Sequence, residues 1–205
     1  MKTLMTIVCA MTLSCAFAGE APTNGLLKVG GKGKVAVVNT CRAPRASLET
    51  AAKKLGNILM IDIEVKDGAE WKLAEAKKCF DAVGANAAVF VIKDPTLPMS
   101  LVAVESKWGI VNAAGLDAVG VEKETSRVLA SVLGGGFSKY PASVMRPAFS
   151  AEDLISKTGS VVTFDAVLAI FEYLPALGVE PFRMMTKEDL EAEKEIEAAN
   201  AAAKK

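Results

Sequence analysis

The chain has 205 residues, with 24 lysines and arginines against 24 aspartates and glutamates, so its formal net charge is zero. Without a basic excess there is no general attraction for phosphate backbones, and nucleic acid is excluded as an expected partner. The sequence also has no histidine, which removes the usual general base near neutral pH and the commonest transition-metal ligand.

The first 18 residues have the pattern of a secretory signal peptide. Lys2 precedes an apolar run that ends in the small residues Ala16 and Ala18. This run is shorter than the roughly 20 residues that a membrane span needs, and no later segment approaches that length. We therefore expect cleavage after Ala18 and an extracytoplasmic protein, periplasmic or secreted. A lipid anchor at Cys15 is the less favoured alternative.

Composition divides the remainder into three parts. Residues 19–34 are rich in glycine and lysine and are predicted to form a flexible entry segment. Residues 35–186 have the length and apolar content of a single domain. Residues 187–205 consist mainly of Glu, Lys and Ala, which predicts a charged helical tail.

Strand and helix patterns alternate at the start of this domain. Strands are predicted at Val35–Asn39, 58–65 and Ala87–Ile92, with helices at 44–56 and 67–84 between them. Such alternation implies a parallel sheet with right-handed crossovers and helices on both faces. The next two short strands, at 101–104 and 110–112, are too close for a helical crossover, so one must run antiparallel at the sheet edge.

A helix predicted at 121–133 has an apolar face and an opposite stripe of Glu124, Arg127 and Ser131. Helices at Ala151–Lys157 and 164–174 follow, and Pro175 and Gly178 are expected to end the second. The predicted fold class is therefore α/β (α+β). It is a three-layer mixed sheet of about five strands, mostly parallel with one antiparallel edge strand, and has a helical C-terminal part.

Cys41 is one candidate nucleophile, because it follows a strand end and neighbours Arg42 and Arg45, which would favour its thiolate. No partner base is visible, so an inert loop thiol is the alternative. Cys41 and Cys79 are expected to be separate thiols, since the second lies well along a helix, although an oxidising compartment permits a disulfide.

Carboxylates offer a second route to hydrolysis. Four of them, Asp62, Glu64, Asp94 and Glu105, lie near predicted strand ends, and paired carboxylates can hydrolyse glycosides. Carboxylates in such positions more often face solvent, and no spacing here approaches a calcium-binding loop.

The order of elements, with a helix that stops at three glycines before a Val-Met pair, resembles zincin metallopeptidase domains and their archaemetzincin-like branch. That family has HExxHxxGxxH on its helix and the following turn, then a methionine turn. If Gly134 is laid on the family glycine, Arg127 and Ser131 take the places of the two helix histidines. Val128 then takes the place of the general base.

In the same alignment Phe137 takes the place of the third ligand, and Met145 falls in the methionine turn. Of the functional positions only Gly134 and Met145 match, so neither zinc nor any other cofactor is expected. The resemblance implies a zincin-like domain that has lost its peptidase chemistry. The candidate positions around the former metal site are Arg127, Ser131, Gly134, Phe137 and Met145.

Zincin edge strands bind extended peptides by strand addition, which needs backbone hydrogen bonds and no metal. The resemblance therefore implies an extended peptide or protein as partner, on an edge strand formed by Leu101, Val102, Ala103 and Val104. Two other interpretations stay open. One is a non-metal hydrolase that uses Cys41 or a carboxylate pair at the carboxyl ends of the strands. The other is an envelope interaction protein with no active site.

Overall fold

The computed structural model of the chain describes residues 25–203. In chain order the strands are β1 (Leu27–Lys32), β2 (Val35–Asn39), β3 (Ile63–Asp67), β4 (Ala87–Ile92), β5 (Ser100–Ala103), β6 (Trp108–Asn112) and β7 (Glu180–Met185). The helices are α1 (Arg45–Leu59), α2 (Ala76–Val83), α3 (Ala118–Val132), α4 (Ala151–Lys157), α5 (Phe164–Leu177) and α6 (Lys187–Ala203). The expected signal peptide and the alternative anchor at Cys15 lie outside the described residues.

Five of the strands form one sheet in the order β3-β2-β4-β6-β5, and only the edge strand β5 runs antiparallel to its neighbour. Val35 of β2 pairs with Ile63 of β3 on one side and with Ala87 of β4 on the other. Every residue of β2 and β4 is buried, which explains why these strands are continuous apolar runs without alternation. The predicted mixed sheet with one antiparallel edge strand is confirmed.

Helices cover both faces of this sheet. Leu55 of α1, Leu129 of α3 and Ile170 of α5 belong to one hydrophobic cluster with the inner residues of the central strands. On the opposite face Phe80 of α2 packs in a second cluster with Phe90 of β4 and with Trp71. The three-layer arrangement follows from this, because a strand that buries both faces needs helices above and below it.

Several predicted boundaries are wrong. The helix predicted at 67–84 begins only at Ala76, after a 3-10 turn at Leu73–Glu75, and Asp67 is the last residue of β3. Gly56 does not end α1, which continues to Leu59; a Cβ at Gly56 would lie 2.9 Å from the carbonyl oxygen of Ile61, so this glycine permits close packing inside the helix. Strand β3 consequently starts at Ile63. Pro175 lies inside α5, which ends only at Gly178.

Two further strands, β1 and β7, form a separate two-stranded sheet. Strand β1, Leu27–Lys32, lies in the entry segment that was predicted as flexible, and neither β1 nor β7 was predicted as a strand. Residues 25–30 and 182–203 form one compact unit, and residues 31–181 form the other. In the smaller unit the guanidinium of Arg183 forms two hydrogen bonds with Glu193 of α6, the helix of the predicted tail.

Both cysteines of the described chain are free thiols. Cys41 packs against the cluster on the α1 and α3 face, whereas Cys79 packs against the cluster on the α2 face. The sheet lies between these clusters, so the expectation of two separate thiols is confirmed.

Among residues 25–203, none of the helices is both long enough and apolar enough to cross a bilayer.

Candidate functional site

Helix α3 packs against the sheet close to its antiparallel edge. The carboxylate of Asp117 accepts a hydrogen bond of 2.7 Å from the N–H of Gly120, which fixes the start of the helix. A Cβ at Gly109 of β6 would lie 2.7 Å from Cγ1 of Val128 and 2.9 Å from Cγ2 of Val132, so glycine is needed for this approach. Val128, at the general-base position of the resemblance, therefore faces the sheet.

The two charged residues of the polar stripe on α3, Glu124 and Arg127, are buried, whereas Ser131 is half-buried. Nε of Arg127 donates to Oε2 of Glu124 over 2.8 Å, and Nη2 donates to the second oxygen of the same carboxylate. The Glu124 side chain is 0% exposed and that of Arg127 only 10%. Nη2 of Arg127 also donates to the hydroxyl of Ser100 over 3.2 Å, which ties α3 to the first residue of the edge strand β5. The guanidinium thus occupies the space between helix and edge strand.

The glycines after α3 serve a sharp turn. Gly134 has φ +97°, and a Cβ there would lie 2.7 Å from Cβ of Tyr173 on α5. The N–H of Gly134 donates to the carbonyl of Ser131 over 3.0 Å, and the N–H of Gly135 donates to the carbonyl of Ala130 over 2.8 Å. These bonds satisfy the last carbonyls of the helix in a way that only a residue free to adopt positive φ permits.

The two remaining candidate positions differ in exposure. The Phe137 side chain is 75% exposed, whereas Met145 is fully buried in the core on the α3 face. The N–H of Ser138 donates to the carbonyl of Met145 over 3.1 Å, so the loop that carries Phe137 runs directly beside Met145. The N–H of Met145 in turn donates to the hydroxyl of Ser143 over 3.0 Å.

These positions do not fit a zinc ion. Arg127 is a cation, and Val128 and Phe137 are hydrocarbon side chains, so none of the three supplies a zinc ligand or a general base. In the described part of the chain, no group of three or more His, Cys, Asp or Glu side chains is close enough to hold a metal ion. We therefore derive no chemical step through zinc.

Among residues 25–203, the edge strand β5 pairs with another strand on one side only. Asn112 donates its N–H to the carbonyl of Met99 over 2.8 Å, and Leu101 lies opposite Ile110. Because the hydrogen-bonded pairs of an antiparallel ladder alternate, the backbone groups of Leu101 face β6, while those of Ser100 and Val102 face away from the sheet. The strand starts one residue earlier than predicted and ends at Ala103, since Val104 begins a 3-10 turn.

Cys41 does not have the environment of a nucleophile. Burial raises the pKa of its thiol, and this effect outweighs the backbone hydrogen bond at Ala43 and the positive charge of Lys93, both of which lower it. The guanidinium of Arg45 is bound instead by Glu49, over 2.7 Å, and by Asp67, over 3.3 Å. The positive charge that acts on the thiol is therefore that of Lys93, and a nucleophilic role of Cys41 stays a prediction.

The four carboxylates do not converge. Asp62 and Glu64 lie at the start of β3. Asp94 follows the carboxyl end of β4, and because these strands are parallel it lies at the opposite end of the strands. Asp94 accepts hydrogen bonds from the N–H and hydroxyl of Thr96, which lower its pKa. Glu105 lies in the turn before β6. These four carboxylates therefore do not form the pair that the alternative interpretation requires.

The polar stripe on α3 was predictable from the sequence, but the bond of Arg127 with Ser100 on β5 was not. Opposite charges at Glu124 and Arg127, three residues apart on one helix, were a visible signal for their ion pair. No local signal pointed to Ser100, because its contact with α3 spans 27 residues of sequence.

Comparison with known proteins supports the fold. No protein-family model and no curated protein matches the chain. The archaemetzincin from Methanopyrus kandleri is similar with a TM-score of 0.57 at 13% identity, over 70% of this chain and 96% of that one. A zinc-dependent peptidase from Methanocorpusculum labreanum is similar with a TM-score of 0.52 at 10% identity, over 66% of this chain and 99% of that one.

At such identities the likeness establishes architecture, and the chain therefore has the zincin-like, archaemetzincin-like fold. Its sheet order, antiparallel edge strand and helix beside that edge are those of a mixed α/β domain of this class. The chemistry of the chain has to be argued from its own side chains.

Proposed function

We propose that this chain is a zincin-like domain without peptidase chemistry that binds an extended peptide or protein segment along β5. The observation that carries this proposal is the buried ion pair between Glu124 and Arg127, whose guanidinium also bonds Ser100 on the edge strand. The Arg127 guanidinium holds α3 against the edge strand β5, but it supplies neither a metal ligand nor a base.

Loss of catalysis is supported by the residues at each functional position. Hydrolysis of a peptide bond needs an activated nucleophile and a group that stabilises the developing negative charge. The sequence has no histidine, Val128 packs against β6, and the pKa of the Cys41 thiol is raised. Val128 therefore does not activate water, and the Cys41 thiol is not expected to attack a carbonyl at neutral pH.

Binding is supported by the state of the edge strand. Unpaired edge strands normally carry lysine, proline or a bulge, which prevent pairing with other chains. β5 has the sequence Ser-Leu-Val-Ala with none of these features, and its Val102 side chain is 41% exposed. Within residues 25–203, no backbone hydrogen bond from another element reaches the outward side of Ser100 or Val102. A further strand therefore fits there.

The proposal places this peptide binding outside the cytoplasm. The support for this location is the sequence of residues 1–18 alone, which has the composition of a cleaved leader. Expression of the complete chain in a bacterium with a periplasm, followed by fractionation and mass determination, tests this point. A cytoplasmic product that still contains residue 2 would overturn it.

The test of strand addition uses the peptide acetyl-Ala-Thr-Val-Thr-Val-Thr-Ala-amide, which is palindromic and pairs in either direction. We expect it to slow hydrogen exchange at the amides of Ser100 and Val102, while Leu101, already bonded to β6, is unaffected. The control is the same peptide with N-methyl groups on its three central residues, which blocks both of its edges. Equal slowing by both peptides, or by neither at millimolar concentration, would contradict the proposal.

A pair of variants tests whether the peptide binds at the outward side of β5. V102P removes the outward N–H and is compatible with an edge strand, whereas V102T retains the N–H and the β-branched shape. We expect V102P to abolish peptide binding and V102T to retain it. Binding that survives V102P would place the peptide elsewhere.

A further inference from the structure

A pocket of about 350 Å³ opens at the beginning of β5. Its walls come from the loop between β4 and β5, the loop between β6 and α3, and the first residue of α4. Six of the lining side chains are apolar: Pro95, Leu97, Met99, Ala114, Leu116 and Ala151. Its volume lies at the lower end of the ~300–1,000 Å³ typical of ligand pockets, a size that suits one side chain better than a nucleotide or other large cofactor.

The polar side chain in this wall is fully used for structure. The amide nitrogen of Asn112 donates to the carbonyl of Asp94 over 2.6 Å and to that of Leu97 over 2.9 Å. Its amide oxygen accepts from the N–H of Asp94 and from the N–H of Ala114, each over 3.1 Å. An Asn side chain has two donors and two acceptor lone pairs, so none is left for a ligand. The wall is thereby rigid and has no side-chain charge.

Two exposed apolar residues lie close in sequence to residues that line the pocket. Phe149, two residues before Ala151, is 88% exposed, and Val119, three residues after Leu116, is 53% exposed. Lys123 of α3 donates to the carbonyl of Ile155 over 3.1 Å, which holds α3 beside α4.

The pocket is continuous with the edge of β5. Met99 lines the pocket and directly precedes Ser100, whose backbone faces away from the sheet. Successive residues of a strand are about 3.3 Å apart, so a segment paired with Ser100 places its next residues beside Met99. One partner can therefore contact both the edge strand and the pocket.

We infer that this pocket binds a large, uncharged apolar side chain of the peptide that pairs with β5, and so selects peptides with such a residue beside the paired segment. The inference rests on the proposed function. An acidic or basic side chain is selected against, because its charge would lose water and meet no oppositely charged side chain among the lining residues.

Three peptides test this selection with the full chain. They are the palindromic probe described above and two versions whose terminal Ala residues are both replaced, in one by Phe and in the other by Asp. Burial of a phenylalanine side chain predicts that the Phe peptide binds at least about tenfold more tightly than the Ala peptide, with no gain for the Asp peptide.

Variants on the protein separate the pocket from the edge strand. A151L fills the pocket and is expected to abolish the advantage of the Phe peptide while leaving the affinity of the Ala peptide unchanged. A46L adds the same side chain at an exposed position of α1 and is expected to preserve the advantage. Thermal unfolding shows whether either variant has lost its fold, and the comparison of peptides on the unaltered chain does not depend on them.

The outcomes distinguish this inference from the proposed function. Equal affinity of the Phe, Ala and Asp peptides, with slowed exchange at Val102, would overturn the pocket and leave strand addition intact. If none of the three peptides slows that exchange, the proposed function fails and the inference fails with it. An advantage of the Phe peptide that persists in A151L would also overturn the pocket.

Discussion

Nη2 of Arg127 on α3 donates a hydrogen bond to the hydroxyl of Ser100 on the edge strand β5, over 3.2 Å. The same guanidinium is held by Glu124, whose side chain is 0% exposed. In the resemblance to zincins Arg127 stands where a helix histidine would bind zinc. A hydrogen-bonded cation thus joins the helix and the edge strand.

Removal of the guanidinium should destabilise the fold strongly. In R127M the Glu124 carboxylate stays buried without a partner, and breaking a buried pair from one side costs about 3–5 kcal/mol. The free energy of unfolding in urea measures this. K77M, which removes one partner of an exposed pair with Asp81, is the control and should unfold like the unaltered chain.

The double variant E124L/R127M separates charge from packing. Because no uncompensated charge remains, we expect it to recover most of the stability lost in R127M. A single variant R127M as stable as the unaltered chain would show that the pair is not buried in solution.

Substitution of Gly134 should be far more damaging than substitution of Gly136. G134A forces a side chain into positive φ and against Tyr173, so we expect a loss of about 1–3 kcal/mol. At Gly136 a Cβ has no neighbour within 4 Å, and G136A should be neutral or slightly stabilising. Equal effects of the two variants on the unfolding temperature would contradict the role assigned to the turn.

The thiol of Cys41 should react slowly with iodoacetamide. Burial raises its pKa, so at any pH near neutrality its thiolate fraction is below that of an ordinary cysteine, and the rate profile shifts to higher pH. The measurement uses C79S in a chain that starts at Gly19, where Cys41 is the remaining thiol, with free cysteine as reference. A faster reaction than that of free cysteine at pH 7 would restore the nucleophile hypothesis.

Zinc should not bind stoichiometrically. Equilibrium dialysis of the purified chain against zinc, followed by elemental analysis, should give well under one tightly held zinc per chain, because Arg127 and Phe137 supply no ligand. One tightly bound zinc per chain that also protects against unfolding would overturn the proposed loss of chemistry.

The sheet was predictable because its signals are local. β2 and β4 are continuous apolar runs bounded by turn residues, and the strands now assigned as β5 and β6 were too close together for a crossover. β1 and β7 gave no such signal: β1 is mostly glycine and lysine, and neither strand has a buried residue. Their pairing depends on residues about 150 positions apart in sequence, as in the bond of Lys32 with Glu180.

Candidate chemistry was less predictable than fold. Charges near Cys41 suggested an activated thiol, yet Arg45 is bound by Glu49 and Asp67, and desolvation dominates the pKa. Sequence proximity gives the nearest charges but not their other partners or the loss of water, and both of these decide the sign of a pKa shift.

The sequence by itself determined the absence of histidine chemistry and the alternating βα order, because composition and hydrophobic period are properties of the chain before it folds. Only the tertiary structure decided that Glu124 and Arg127 of α3 are buried and that Arg127 is bonded to β5. It also decided that Cys41 and Cys79 lie on opposite faces of the sheet. The burial of a charged side chain and its partners on other elements arise from contacts between residues distant in sequence, which no local pattern encodes.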